Sequence, residues 1–515
     1  MRLRRHLSAL PTLLLVLSAQ AREPAADARP VDVLLITVDT LRPDALGWVA
    51  GRNPTPALDE LARQGFRFPG AVSPAPVTQP AHTSLFTGLV PRRHGVRDNG
   101  RVLGPRPPTL AEKLRRHGYR TAAFVSGYPL AAEFGLDRGF DHYDDDLSSG
   151  ATGRLERPAA ATAAAVRDWL AAADAKGPWF VWVHFWDPHD PYTPPPAFAR
   201  DGPRGDYHGE VAYVDHTVGE LLRDVADRGS GKRGLLTVFT ADHGESLGEH
   251  GEHTHGFFIY DSTVAVPLVF HLPGRIAPRE SPAPARLIDV APTILDLLGL
   301  PPFAAEEIDG VSLTPLLAGK AFDVPPALIE TRRPWLSYGW APLAALRQGT
   351  WKLIAAPRPE LYDLARDPGE ATNLVREERA KARQLRTLLL QAEKSPAADS
   401  HALDDPETMA RLRSLGYVGA GSDPGEPPAG VADPKDRLDL WNALAAAVAK
   451  MERGEPAAAV AAFDAVLEKE PRNPFGWSRS GAALLAAGEP AAAVPRLRQA
   501  AKLQGDDAET RSALA

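Results

Sequence analysis

The chain has 515 residues, 44% of them hydrophobic and 24% charged, a balance that excludes wholesale disorder and implies more than one domain. Its formal charge of −7 falls to −10 if the three N-terminal arginines Arg2, Arg4 and Arg5 are removed, and so acidic a chain is excluded as a general nucleic-acid binder. It contains no cysteine, so no disulfide stabilises it and no thiol takes part in its chemistry.

Residues 1–21 differ from the rest. Arg2, Arg4 and Arg5 precede an apolar stretch from Leu7 to Ala19, and Ala19-Gln20-Ala21 has the small-x-small form of a signal-peptidase site. The stretch falls short of the ~20 residues that span a bilayer. The expectation is an exported protein, periplasmic or secreted, whose mature chain begins near Arg22 and has no transmembrane span.

The apolar run Val31 to Val38 reads as a buried strand ending in Asp39. Thr109-Leu110-Ala111-Glu112 is a capping box that opens a helix closed by Gly118, and Arg120 to Val125 follows as a strand. The alanine-rich stretch Ala159 to Ala173 is helical and Trp179 to Phe185 a strand. Tyr213 to Arg228 is a helix, Leu235 to Thr240 a strand ending near Asp242-His243-Gly244, and Val266 to Phe270 another strand. Strands separated by helices of this length predict an α/β fold with a large, mostly parallel sheet flanked by helices.

From about residue 325 the pattern changes. Leu343 to Arg347 and Trp351 to Ile354 read as antiparallel strands around Gly349, joined by Leu361-Tyr362-Asp363-Leu364 and followed by a helix from Glu377 to Ala392. Residues 419–434 are rich in Gly, Pro, Ala and Asp and read as a linker. Beyond it, Gly454-Glu455-Pro456-Ala457-Ala458-Ala459-Val460 recurs as Gly488-Glu489-Pro490-Ala491-Ala492-Ala493-Val494. The spacing is the tetratricopeptide period, so 435–515 is expected to be all-helical. That segment either docks onto the catalytic domain or binds a protein partner.

Two strand-end segments, Asp39 and Asp242-His243, flank Thr78 in the segment Thr78-Gln79-Pro80-Ala81-His82. Open α/β sheets build their sites at the carboxyl ends of strands. An acid, a hydroxyl, and an acid plus imidazole form a ligand set for a divalent cation that activates the hydroxyl.

The order Asp39, Thr78, His189, Asp242-His243 and His255 resembles the sulfatase family of the alkaline-phosphatase superfamily. Leu85-Phe86-Thr87-Gly88, Gly139-Phe140-Asp141, Asp187-Pro188-His189 and Glu360-Leu361-Tyr362-Asp363-Leu364 agree with it. The resemblance spans about residues 30 to 418. It implies a catalytic domain over 30–324 and a small antiparallel sheet subdomain over 325–418, ahead of the linker and the repeats.

Sulfatases carry a Cys-x-Pro-x-Arg motif, or its serine version, whose first residue becomes formylglycine. Here it reads Thr-x-Pro-x-His, so that aldehyde cannot form. Threonine at this position resembles nucleotide pyrophosphatase/phosphodiesterases, phosphoethanolamine transferases and lipoteichoic-acid synthases, which act on phosphate esters through phosphothreonine. The resemblance implies Asp39, Thr78, Asp242 and His243 as metal ligands. Thr40 replaces a second acid and His243 an asparagine, which favours zinc or manganese over calcium. His189 and His255 are the implied proton donors, and Asn99 and His82 the residues set toward substrate or nucleophile. Ser126-Gly127-Tyr128 stands where the family has a Lys-x-His pair, so two cationic contacts to sulfate are absent.

The leading expectation is a metal-dependent hydrolase or transferase of anionic esters, such as a phosphate ester or an exported glycan or lipid headgroup. Thr78 acting directly on sulfate esters is the first alternative. A non-catalytic scaffold presenting the repeats is the second.

Overall fold

The computed structural model describes residues 30–51, 55–148, 155–172, 177–202, 204–228, 233–395, 397–398, 401–402, 408, 411–412 and 425–504. The expected signal peptide lies outside the described residues.

The strands in chain order are β1 (Val31–Val38), β2 (Phe66–Val72), β3 (Arg101–Val102), β4 (Arg120–Phe124), β5 (His142–Asp144), β6 (Trp179–Phe185), β7 (Gly234–Ala241), β8 (Ala265–His271) and β9 (Arg279–Glu280). Then come β10 (Ala327–Thr331), β11 (Leu343–Gln348), β12 (Trp351–Ala355), β13 (Glu360–Asp363) and β14 (His401–Ala402). Eight of them form one sheet in the order β5-β4-β6-β1-β7-β8-β2-β9. Only β8 runs against the others, pairing antiparallel with both β7 and β2. All eight residues of β1 and all seven of β6 are buried, as central strands covered on both faces require. This bears out the mostly parallel sheet, with the Val266 strand reversed.

Sequence reading missed β2 because Pro69-Gly70 inside it looks like a turn. In the fold the pair sits where the β2–β8 register shifts between Phe68 and Ala71, a bulge that tolerates both residues. The helix expected from Tyr213 runs over Gly205–Arg228 instead. Its first turns hold the poor helix former Gly209, where a Cβ would meet Phe198 O at 2.8 Å. The packing of Tyr207 secures that end: its hydroxyl donates to Thr40 O and accepts from Arg42 N, both at 3.0 Å.

The smaller sheet has the order β10-β11-β12-β13, all antiparallel, with the β11–β12 hairpin closed at Gly349. The helix Arg379–Ala392 packs on it through Leu385 and Leu389. Four further helices follow: Leu438–Glu452, Pro456–Lys469, Pro474–Ala486 and Pro490–Gln504. One apolar cluster joins Phe257 to Tyr260, Trp340 and Tyr362 to Leu444, Phe463 and Phe475, so the helices share a core with both sheets' loops. The described part of the expected linker is pinned rather than loose. Gly425 O accepts from Arg332 Nη2 at 2.6 Å, and Ala432 O accepts from Ala341 N at 2.9 Å. Among the described residues no helix is long and apolar enough to cross a membrane.

Candidate active site

β1 lies between β6 and β7, and the carboxyl ends of these three parallel strands open on one side. The chain leaves β1 through Asp39 and β7 through Asp242-His243. It leaves β6 through the turn Trp186 to His189. Thr40 closes the corner with a left-handed φ of 53°, donating from its amide to Asp242 Oδ1 at 3.3 Å and from its hydroxyl to Pro188 O. Three distant segments are thereby held to one point.

Thr78 is the first residue of the helix Thr78–Thr87, all ten residues of which are buried. Its hydroxyl sits at the positive end of that helix. Oγ1 donates to Asp39 Oδ2 at 3.3 Å and lies 3.4 Å from His243 Nε2. His243 Nε2 is 3.5 Å from both Asp39 Oδ1 and Asp242 Oδ2. His243 Nδ1 donates to Gly244 O at 2.9 Å, so the ring's proton is there and Nε2 presents a lone pair. Asp39 Oδ1 and Asp242 Oδ2 accept no hydrogen bond. Two carboxyl oxygens and an imidazole lone pair thus face one another in a fully buried place, where negative charge on either acid is costly.

Burial first, then the negative charge of Glu245 on Asp39 and that of Asp39 on Asp242, push both carboxyls well above the usual range. Burial likewise holds His243 well below its usual value, hence neutral. A cation removes this frustration, and one ligand atom each from Asp39, Asp242 and His243 lies within 4.8 Å of the others. The donor set fits a divalent metal, with Thr78 Oγ1 close by, 3.3 Å from Asp39 Oδ2 and 3.4 Å from His243 Nε2.

The two remaining histidines form the rim. His189 stacks on Trp186 with ring centres 4.0 Å apart and meets His255 edge-on at 5.1 Å. His189 Nδ1 donates to Asp190 O at 2.6 Å, and His255 Nδ1 faces Glu245 Oε1 at 3.1 Å, which leaves proton exchange to each Nε2. Burial first, then the Arg333 guanidinium, pushes His255 down to about 3; burial and His255 lower His189 well below its usual value. Both rings are therefore neutral at neutral pH.

Asn99 lies beside the start of the Thr78 helix: its Oδ1 accepts from Gln79 N at 2.9 Å, while the buried Nδ2 has no hydrogen-bond partner. A buried donor left unpaired costs free energy, so Nδ2 is poised to bond any acceptor that enters here. Of the two places expected for His82, the structure gives the one beside Thr78 rather than a substrate contact. It is wholly buried, its Nδ1 donating to Thr78 O at 2.8 Å and its Nε2 accepting from Thr37 Oγ1 at 3.0 Å. Both nitrogens are engaged beneath Thr78, so His82 supports Thr78 and is turned away from the opening of the site.

Sequence reading missed four contributors. Gln79 fastens the helix to the turn after Asn99, its Oε1 accepting from Gly100 N at 2.8 Å. His184 accepts from Ser126 N at Nδ1 and brings Nε2 to 3.5 Å from Asp39 Oδ2. Glu245 holds His255, and Trp186 backs His189. Alternation along β6 puts Trp182 and His184 on one face, which is the one available signal for His184. The place of the absent Lys-x-His pair is filled by packing: Tyr128 turns its hydroxyl to Glu133 Oε1 at 2.5 Å, and Gly127 lies flat against the Trp186 ring.

The family profile described as Sulfatase matches residues 32–300. The chain belongs to the sulfatase family. A second profile, N-sulphoglucosamine sulphohydrolase C-terminal, matches residues 248–395. Choline-sulfatase of Rhizobium meliloti (strain 1021) is 28% identical over 442 residues, covering 68% of this chain and 84% of that protein. Arylsulfatase A of Homo sapiens is 26% identical over 450 residues, covering 71% and 86%. The crystal structure of phosphonate monoester hydrolase of Agrobacterium radiobacter superposes with a TM-score of 0.59 at 26% identity, covering 73% of this chain and 97% of that one. As a member of this family the chain is an ester hydrolase.

Proposed function

We propose that this sulfatase-family chain hydrolyses phosphate or phosphonate esters, or transfers the group to an acceptor, by direct attack of Thr78. The observation that carries the reading is the single, unmodified hydroxyl of Thr78 seated between Asp39 and His243. A formylglycine hydrate has two hydroxyls, so its sulfate ester can collapse by elimination without attack at sulfur. Threonine has one, and its ester must be cleaved by a second displacement, a route open to phosphothreonine.

Asp39, Thr78, Asp242 and His243 would hold a divalent cation, which would supply Lewis-acid stabilisation and lower the hydroxyl pKa; the imidazole and reduced carboxylate count favour zinc or manganese over calcium. Asp39 Oδ2 holds the Thr78 proton. Asn99 Nδ2 donates to a non-bridging oxygen. His189 or His255, protonated as the anion arrives, gives its proton to the leaving oxygen as the bond to phosphorus breaks and that from Thr78 Oγ1 forms. Water then cleaves the Thr78 ester with the same histidine as base.

The named relatives favour a second reading, sulfate ester hydrolysis by the same residues. Kinetics with matched aryl phosphate, phosphonate, phosphodiester and sulfate esters, across zinc, manganese and calcium, decide between them. The reading expects the highest kcat/KM for a phosphorus ester; a clear preference for sulfate overturns it. Arg2, Arg4, Arg5 and Ala19-Gln20-Ala21 support export of the chain. N-terminal sequencing that finds Met1 intact on a cytoplasmic pool refutes that part.

A further inference from the structure

His255 sits in a loop that curls back on itself. Glu252 accepts from Phe257 N at 2.8 Å and from Phe258 N at 3.2 Å, closing the backbone around His255. Thr331 at the end of β10 donates from its hydroxyl to Gly256 O at 2.7 Å. The third restraint comes from far along the chain. Leu438 and Trp441, one turn apart on the helix Leu438–Glu452, contact the loop on either side of His255. Gly251, with a φ of 80°, lies so close to Leu438 that a Cβ there would come within 2.2 Å of its Cδ2. Trp441 stacks face to face on Phe257, with ring centres 4.9 Å apart and planes 15° apart. Its indole N–H donates to Tyr338 Oη at 3.1 Å, which fixes the rotation of the ring. Tyr338 in turn stacks on Trp340 at 4.8 Å and meets Phe475 of the third helix at 5.5 Å.

We propose that Trp441 is a positioning residue for His255 and that the C-terminal helices form a working wall of the active site. The proposal rests on the proton-donor role given to His255 above. Without the stack, Phe257 loses its backing, the closed loop loosens, and His255 loses the register with His243 that its 4.5 Å ring separation records. The face of the helix turned toward Phe257 is occupied within the chain, so any protein partner must use another face.

The test is a double-mutant cycle on the full chain, with Trp441→Ala, His255→Ala and both together, read as kcat and KM on an aryl phosphate. Because a misplacement of about 1 Å costs on the order of 10²-fold, Trp441→Ala is expected to lower kcat by at least ~10-fold with KM little changed. In the His255→Ala background the same substitution should cost less than ~2-fold, since Trp441 affects the rate only through the loop that holds His255. Trp441→Phe, which keeps the stack, should restore most of the rate. Amide exchange across 251–258 should quicken in Trp441→Ala alone. Equal losses in both backgrounds overturn the proposal while leaving the role of His255 intact. Wild-type turnover by His255→Ala overturns that role and the proposal together. If Trp441→Ala does not fold, Leu438→Ala goes through the same cycle under the same criteria.

Discussion

Gly127→Ala adds one methyl group, and the structure sets where it goes. The backbone accepts it: φ is −133° and ψ 138°, ordinary extended values. The space does not, since the new Cβ would lie 2.1 Å from Trp186 Cε3 and 2.4 Å from Cζ3. Non-bonded carbons settle at about 3.5 Å, so the indole must move by roughly 1.4 Å. Trp186 is 3% exposed and stacked on His189 at 4.0 Å, so the displacement passes to the imidazole. Overpacking of this kind costs about 1–3 kcal/mol of stability, and a shift of about 1 Å in a reacting group costs on the order of 10²-fold in rate. Thermal unfolding and kcat/KM on an aryl phosphate measure the two effects. Gly127→Ala is expected to lose much more rate than stability, and to add little to His189→Ala. Unchanged kcat/KM in a folded Gly127→Ala protein would refute the placement of His189 in the chemistry.

Thr78→Ala should remove turnover by at least ~10³-fold with an unfolding midpoint close to wild type, because a single hydroxyl contributes little to packing; persistent near-wild-type rates would assign the attack to water. Asp242→Asn should weaken zinc or manganese binding by about tenfold or more, read by calorimetry, and a variant with wild-type affinity would remove Asp242 from the ligand set. Glu252 is pushed up to about 8, by burial first, against the ordinary 4.5. A raised acid is bound to its proton in the folded state after the unfolded chain has released it, so its stabilisation is complete below about pH 4.5 and lost as pH rises toward about 8. Urea unfolding should therefore show stability falling with pH across that window by up to about 1.4 kcal/mol per unit, and Glu252→Gln should flatten the slope. Equal slopes in both proteins would show that Glu252 does not carry the proton.

What the sequence determined follows from short-range physics. Buried runs such as Val31 to Val38 and Trp179 to Phe185 can only be central strands, and carboxylates at their ends mark the site edge of an α/β sheet. The capping box at Thr109 and Glu112 is a local hydrogen-bond pattern and formed as written. Asp39, Thr78, Asp242 and His243 were legible as a set because residue order and strand ends already placed them. Tertiary structure decided the rest, because it concerns which side chains meet across long stretches of chain. The sequence marks His82 as facing the chemistry; only the hydrogen bonds to Thr78 and Thr37 show it serving as support. Ser126-Gly127-Tyr128 registers in the sequence as missing charge, yet in three dimensions Gly127 makes room for the ring that backs His189. The local repeat identifies the C-terminal helices but leaves open whether they dock onto the catalytic domain. Stacking of Trp441 on Phe257, 184 positions away in sequence, is a contact no local pattern encodes, and it ties those helices to the loop that holds His255.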